Sequence, residues 1–195
     1  MYSPDESQKS SATLALQHRY DGFSILLHWL TVVLVVCLWT LGQTLDFFPK
    51  GTPREEALSV HILLGMTLGA TLLVRIAWRA SVGRRLPPAD SGWQGQLARN
   101  VHYGLYALLA ATVAFGLSRV WLHGNQVFDW FAFPRPAFST RSLTRTIGGL
   151  HGDLADIVVI VAGLHAAAAL VHHYVLRDSV LRRMLPGKSG ACPEQ

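Results

Sequence analysis

The sequence has 195 residues and a net charge of +5; 50% of the residues are hydrophobic, only 15% are charged, and the mean hydropathy is +0.28. Soluble domains contain about 25% charged residues, so this composition excludes an ordinary soluble protein. The pI of 9.6 is basic, but no stripe of interleaved basic and aromatic residues accompanies it, which argues against a nucleic-acid partner.

The chain begins with a polar segment, and the first apolar run follows at Phe23 to Leu41. Because residues 1–18 are polar and no small-residue cleavage site follows the long apolar run, we expect no cleavable signal peptide. The run approaches the roughly 20 residues that a membrane-spanning helix needs. His28 lies inside it, at a depth of roughly 10 Å if the run is helical.

Two further apolar runs each carry a histidine. The second, Val60 to Trp78, contains His61 near its start and Arg75 near its end, whereas the third, Val101 to Trp121, contains His102. An ionisable side chain inside a membrane span is expensive and is usually functional. We therefore expect Arg75 to face the interior of the protein rather than lipid.

The longest connection, residues 118–149, precedes the fourth apolar run and is rich in aromatic residues. A loop of more than about 15 residues is often functional, so a lid over an outer cofactor is one hypothesis. An aromatic belt at the level of the lipid headgroups is the other. The sequence leaves both open.

The fourth apolar run, Ile157 to Leu176, extends upstream through Gly148 to Asp156, and the combined segment contains His151 and His165. These histidines are 14 residues apart, which on a helix is four turns, nearly one face and roughly 21 Å along the axis. This spacing fits two cofactors stacked across a membrane, one near each surface.

The four runs predict an all-α membrane protein, a four-transmembrane-helix bundle formed by residues 19–186 between a polar tail at 1–18 and a C-terminal tail at 187–195. Basic residues should be more numerous on the cytoplasmic side. If the N-terminus is cytoplasmic, the inner set is Lys9, Arg19, Arg79, Arg84, Arg85, Arg99, Arg177, Arg182, Arg183 and Lys188. The smaller outer set is then Lys50, Arg54, Arg119, Arg135, Arg141 and Arg145. We therefore predict that both termini are cytoplasmic.

Depth in the membrane groups the histidines into two pairs. His28 and His165 share an inner level, and His61 and His151 lie near the outer starts of their helices. The simplest interpretation is a membrane cytochrome with two haems, each held between two imidazoles. His102 lies near the inner level and could replace His28 or His165, so spacing alone leaves the inner ligand set open.

Small residues surround these histidines. Gly65 and Gly69 follow His61 at intervals of four residues, so the helix surface beside this imidazole has no side chains for two turns. The fourth run is also small around both of its histidines. Small residues allow the close approach of a cofactor or of another helix, and the sequence does not decide between the two.

The sequence resembles the prokaryotic cytochrome b561 family of four-helix b-type cytochromes over roughly Arg19 to Pro186. The matching segments are RYDGFSILLHWL, SVHILLG followed by VRIAWR, HYGLYALL, HGNQVFDWFAFP and, most specifically, LHGDLAD followed by GLHAAAALVHHYVLRD. The resemblance implies a multi-pass protein of the bacterial inner membrane. It also implies electron transfer between a donor outside the membrane, superoxide in some members, and the quinone pool.

The same resemblance implies which histidines are ligands of two b-type haems. It pairs His28 with His165 and His61 with His151, in agreement with the depths, and it implies that His102 is not an axial ligand. Iron is then held by two imidazoles at each level.

Further cofactor contacts are predicted near each haem. Arg75 is the candidate partner for an inner haem propionate, because an unpaired carboxylate is expensive in a low dielectric. His172, near the cytoplasmic edge, is the candidate contact for ubiquinone, since imidazole supplies both a hydrogen bond and a titratable group. Arg141 and Arg145 are close in sequence to His151, and we expect them to bind outer propionates or to steer an anionic donor such as superoxide.

The predicted function is therefore electron transfer from an outer donor to the membrane quinone pool, with membrane lipid, quinone and a small anionic donor as partners. The alternative is a haem-bearing anchor subunit of a larger dehydrogenase or hydrogenase complex. Whether the protein purifies alone or with another subunit distinguishes the two.

Overall fold

The computed structural model describes residues 19–83, 92–128 and 130–185, which form four long helices and a short hairpin. The helices are α1 (Gly22–Thr44), α2 (Thr52–Ser81), α3 (Trp93–His123) and α4 (Arg141–Tyr174). The antiparallel strands β1 (Gln126–Val127) and β2 (Phe131–Ala132) lie between α3 and α4, and short 3-10 helices occur at Leu45–Phe47 and Leu181–Arg183. All four long helices are apolar and long enough to cross a membrane. The predicted all-α, four-span architecture is confirmed.

Some sequence-based predictions fall outside the part of the chain that the structure describes. These are the tails at 1–18 and 187–195 and four members of the inner basic set, Lys9, Arg84, Arg85 and Lys188.

The helices extend beyond the apolar runs that predicted them. The third begins at Trp93 rather than Val101, and the fourth begins at Arg141 rather than near Gly148. The apolar runs mark the part of each helix that matches the hydrocarbon thickness. A helix can continue into a polar segment, because each residue added at its end forms one more backbone hydrogen bond. The fourth helix starts where the Thr140 side chain accepts a hydrogen bond from a backbone N–H of the first turn.

Asp21 ties the start of α1 to the end of α2, at the end of the bundle that is predicted to be cytoplasmic and is here called the inner end. Its carboxylate caps α1 by accepting the Ser24 backbone N–H at 2.8 Å, and it also accepts the indole N–H of Trp78 at 3.0 Å. A single side chain therefore satisfies an open helix end and fixes a neighbouring helix.

An apolar cluster, here called the central layer, occupies the middle of the bundle. Its buried members are Leu34, Leu38, Leu68, Leu72, Leu109 and Val158, so every long helix contributes. Val158 lies seven residues from both His151 and His165. The central layer therefore separates the two levels at which the histidines are placed, whereas side chains such as Leu73 and Leu164 are exposed on the outside of the bundle, where lipid would contact them.

The hairpin packs beside the outer end of the bundle. Val127 is buried against Ile62 of α2 and Val120 of α3, and the Phe128 backbone N–H donates to Ser59 Oγ at 2.9 Å. This hydrogen bond fixes the hairpin to the outer part of α2.

Candidate functional site

Two histidines face each other at the outer level of the bundle. The rings of His61 on α2 and His151 on α4 have centroids 6.2 Å apart and an interplanar angle of 86°. An imidazole nitrogen binds a metal ion at about 2 Å, so two rings on opposite sides of one ion have centroids about 6 Å apart. Both rings line a cavity of about 730 Å³, within the range of about 300–1,000 Å³ typical of ligand sites.

The position of the ring proton in His151 also fits a metal ligand. Its Nδ1 lies 2.9 Å from the backbone carbonyl oxygen of Thr112 on α3. A carbonyl oxygen only accepts, so Nδ1 carries the proton and Nε2 is left with a free lone pair. Imidazole ligands of metals usually donate their second N–H in this way. Nδ1 of His61, by contrast, is buried without a hydrogen-bond partner among the described residues.

Two glycines make room for the outer imidazoles. A Cβ atom on Gly116 of α3 would lie 2.9 Å from Cε1 of His151, which is too close for real atoms. A Cβ atom on Gly42 of α1 would lie 3.4 Å from Cε1 of His61. Each ring therefore packs directly against the backbone of a neighbouring helix.

Other glycines form a bare cavity wall. Gly65 and Gly152 line the cavity, and no atom lies within 4 Å of the position of a Cβ at either residue. A flat macrocycle could therefore lie against this wall. Gly69 has a different role, because its Cβ would meet Val113 of α3 at 3.1 Å. The open space beside Gly65 and the helix packing at Gly69 thus correspond to the two roles that the sequence left open.

The cations at the outer cavity differ from those that the sequence suggested. Arg141 and Arg145 are exposed and do not line the cavity. The cations that line the cavity are Lys50, Arg54 and Arg119. The acidic residues Glu55, Asp153 and Asp156 also line it. Arg119 passes over the backbone of α4, since a Cβ on Gly148 would lie 3.0 Å from its Nε. The signal for Arg119 in the sequence was its position three residues after Gly116, on the same face of α3.

A carboxylate joins α1 to α4 at the wall of the same cavity. Asp156 Oδ1 accepts the indole N–H of Trp39 at 2.8 Å and the side-chain amide of Gln43 at 3.0 Å. An acidic group inside a membrane span needs such partners. All three side chains line the cavity, so this tie belongs to the outer site.

Three histidines, rather than two, meet at the inner level. The rings of His102 and His165 have centroids 5.1 Å apart, and His28 lies close enough to interact electrostatically with both. Arg75 Nη2 donates to His28 Nδ1 at 3.0 Å, and its guanidinium lies 5.3 Å from the centroid of the Tyr106 ring. Arg75 therefore faces the interior. A guanidinium only donates, so Nδ1 of His28 accepts this bond and Nε2 carries the proton, which is not the arrangement of a metal ligand seen at His151. The geometry alone does not single out His28 among the three imidazoles.

His172 lies at the inner end of α4 and is paired with Asp178. His172 Nδ1 and Asp178 Oδ2 are 2.5 Å apart, and the chain turns back to make this contact at Arg177, whose φ is 55°. Although burial acts in the opposite direction, the hydrogen bonds from His172 and from the Val180 N–H hold the pKa of Asp178 below its usual value. The carboxylate is therefore ionised at neutral pH, and His172 Nδ1 carries the proton.

The aromatic residues of the long connection do not cover the outer cavity. Trp130, Phe131 and Phe133 instead border a second, wholly apolar cavity of about 200 Å³ on the outside of α2, beside Leu63 and Met66. None of the described aromatic residues of this connection lines the outer cavity. This placement favours the aromatic belt over the lid.

Comparison with known proteins agrees with this architecture. The profile of the prokaryotic cytochrome b561 family matches residues 19–187. A probable superoxide oxidase, CybB, of Yersinia pestis is 30% identical, over 90% of this chain and 100% of that protein. Cytochrome b561 homolog 2 of Escherichia coli is 32% identical over 89% of this chain and 94% of its own length. A cytochrome b562 of Cereibacter sphaeroides is 26% identical, over 85% and 94% respectively.

Replacement of Gly116 by alanine tests the close approach of the His151 ring. The new methyl group would overlap the imidazole, so if a haem is bound between His61 and His151, Gly116→Ala should reduce the haem content per purified chain. Gly104→Ala is the matched control on the same helix, because a Cβ there meets no atom within 4 Å. Full haem content in Gly116→Ala would contradict the observed packing.

Proposed function

Because this chain belongs to the prokaryotic cytochrome b561 family, we propose that its bundle holds two b-type haems, one at each level of histidines. The chain is an electron-transfer protein of the bacterial inner membrane that uses haem b. The proposed outer axial pair is His61 with His151, and the proposed inner pair is His28 with His165. The observation that carries the proposal is the outer pair of imidazoles, which face each other across a cavity with a glycine wall.

The inner pair has weaker geometric support than the outer one. His165 lies on the same face of α4 as His151, four turns away, which places a second site on the inner side of the central layer. His28 and His102 both lie near His165, and His28 is preferred on the family resemblance. Arg75 lies against His28, and we propose it as the cationic partner of the inner haem and its propionates.

Single replacements of the histidines test this pairing. We expect His61→Ala and His151→Ala each to retain only the inner haem, and His28→Ala and His165→Ala each to retain only the outer one. Absorbance and electron paramagnetic resonance spectra of the purified variants distinguish the two centres. His102→Ala should keep both haems, and loss of the inner haem in that variant would bring α3 into the ligand set.

The proposed topology has both termini in the cytoplasm, as the basic residues predicted. The outer cavity then faces the periplasm. Lys50 and Arg119 at its wall provide local positive charge for a small anion, within a lining whose three cations are matched by three carboxylates. We propose superoxide as the donor, because a relative that matches over its whole length is named a probable superoxide oxidase. Each superoxide anion gives up one electron and leaves as molecular oxygen, and iron in the bound haem can take up one electron at a time.

The proposed acceptor is ubiquinone at the cytoplasmic side, close to His172. Two electrons and two protons convert the quinone to the quinol, so two superoxide anions are oxidised for each quinone reduced. His172 Nδ1 is held by Asp178, which leaves Nε2 to exchange a proton with a quinone oxygen. Protons for this exchange come from the cytoplasm. The role of Asp178 is to hold the imidazole in one tautomer and orientation.

The rate of reduction by superoxide tests the outer site. We expect the second-order rate constant to fall by about tenfold or more between low and high ionic strength, as for other electrostatically steered reactions. In Lys50→Gln with Arg119→Gln the dependence on salt should be flatter, provided that the haem content is unchanged. Arg141→Gln with Arg145→Gln serves as the control of equal charge, because neither residue lines the cavity. A slow reaction that is independent of salt in every form would indicate a protein or quinol donor.

Replacement of His172 by alanine tests the quinone site. Loss of a positioned proton donor typically slows a reaction by about a hundredfold or more, so stopped-flow reduction of ubiquinone by the pre-reduced His172→Ala protein should be slower by that factor. Both haem spectra should be unchanged. His173→Ala, in the same turn of α4, should behave as wild type. Equal quinone kinetics in His172→Ala, or loss of haem, would exclude this assignment.

A further inference from the structure

We propose that the segment after α4, residues 175–185, positions the imidazole of His172 for proton exchange with the quinone. Arg177 and Trp29 are positioning residues for this exchange, and both act through Asp178. The inference rests on the proposed quinone site and adds to it the residues that hold the site in place. Residues 175–185 are here called the strap, because they turn back from the end of α4 and reach α1.

The far end of the strap is attached to the first part of the chain that the structure describes. Three successive backbone carbonyl oxygens, at residues 183–185, accept hydrogen bonds from donors within residues 19–29. The donors are the Tyr20 backbone N–H, at 3.3 Å from the Arg183 oxygen, the Trp29 indole N–H, at 2.9 Å from the Met184 oxygen, and the Arg19 guanidinium, which contacts the Leu185 oxygen. These bonds join segments that are distant in the sequence, so they fix the strap against α1.

The near end of the strap brings Asp178 back to His172. The Asp178 backbone N–H donates to the His172 carbonyl oxygen at 3.0 Å. The Asp178 carboxylate accepts the His172 Nδ1–H through Oδ2 and the Val180 backbone N–H, at 3.0 Å, through Oδ1. Because both carboxylate oxygens are used, the carboxylate is held in one orientation. The hydrogen bond at Nδ1 in turn fixes the tautomer of the imidazole, with Nε2 on the opposite side of the ring.

The contact between Asp178 and His172 depends on an unfavourable backbone conformation at Arg177. The φ angle of Arg177 is 55°, in the left-handed region that residues other than glycine adopt at a cost in free energy. Arg177 directly precedes Asp178, so its conformation sets the direction in which the chain carries the carboxylate. Backbone strain of this kind is often retained at functional sites, and here it lies next to the pair that is proposed to serve the quinone.

Termination of α4 is the simpler explanation of the same turn, because many helices end with a left-handed residue, usually glycine. It accounts for the φ angle and for the bond from the Asp178 N–H to the His172 carbonyl. It does not account for the pairing of the Asp178 carboxylate with the His172 ring, or for the three bonds from the strap to residues 19–29. A residue that only ends the helix acts whatever side chain is at position 172, whereas a positioning residue acts only when His172 is present.

Two substitutions of Arg177 test the strap, because both remove the guanidinium and they differ in the backbone conformations that they allow. Glycine adopts a φ of 55° without strain, whereas valine, which is branched at Cβ, strongly disfavours it. Arg177→Gly should reduce ubiquinone at a rate near that of wild type. In Arg177→Val the maximum rate should fall by about tenfold or more, as expected for a misplaced reacting group, with the KM for quinone and the haem spectra unchanged. Equal rates in the two variants would overturn the role of this turn.

Trp29→Phe tests the attachment to α1 independently. The variant keeps an aromatic ring and removes the indole N–H that donates to Met184. We expect a fall in the maximum rate of about two- to tenfold, the effect of one lost hydrogen bond, because the other two bonds of the strap remain. An unchanged rate would exclude Trp29 as a positioning residue.

Combination with His172→Ala separates positioning from a general structural role. In the His172→Ala background neither Arg177→Val nor Trp29→Phe should slow quinone reduction further, and a further fall in rate would overturn the inference.

The ring of His172 also provides a readout that does not involve quinone. In protein with isotope-labelled histidine, the nuclear magnetic resonance signal of Nδ1–H is identified by its loss in His172→Ala. The signal should persist in Arg177→Gly and disappear in Arg177→Val, where the proton exchanges with water. A signal that persists in Arg177→Val would overturn the strap whatever the kinetics show. If the signal behaves as expected but His172→Ala leaves the quinone kinetics unchanged, the strap holds the ring and it is the proposed quinone site that fails.

Discussion

Polar ring nitrogens inside an apolar slab need partners, and this requirement organises the bundle. A buried polar group without a partner costs about 1–3 kcal/mol, and lipid offers none. At the outer level the backbone carbonyl of Thr112 on α3 meets the requirement for Nδ1 of His151, whereas Nδ1 of His61 has no partner among the described residues. At the inner level Arg75 meets it from α2. The imidazoles therefore fix how neighbouring helices approach one another. Small residues such as Gly116 are needed where a ring packs against the backbone of the next helix.

Much of the architecture could be predicted from the sequence because the signals are local. Hydropathy over about 20 residues predicts a span, and a separation of 14 residues between His151 and His165 places both on one face of one helix. The same reasoning placed Arg75 in the interior. It could not locate the helix ends, because helical hydrogen bonding continues into polar segments at Trp93 and Arg141, where the hydropathy has already fallen.

The contacts that shape the sites could not be predicted in the same way, because they join segments that are distant in the chain. The acceptor for His151 is a backbone oxygen, which any residue at position 112 would supply. Arg119 reaches the outer cavity across Gly148, whereas Arg141, closer to His151 in sequence, does not line it. Sequence proximity is a poor guide on a helix bundle, because neighbours in space come from other helices at the same depth.

The composition of the central layer bears on how charge can move between the two levels of histidines. Its buried members are aliphatic side chains from all four helices, which cannot carry protons. The two histidines on α4 that are proposed as axial ligands, His151 and His165, are roughly 21 Å apart along the axis, about two-thirds of a hydrocarbon core of about 30 Å. The inward electron flow proposed above would then be electrogenic and would make the cytoplasm more negative.

The membrane voltage opposes this flow by about 2.3 kcal/mol per 100 mV for a charge that crosses the full membrane. A charge that crosses two-thirds of it meets about 1.5 kcal/mol at that voltage. With the proposed topology, a larger membrane voltage therefore lowers the driving force for electron transfer between the two levels of histidines.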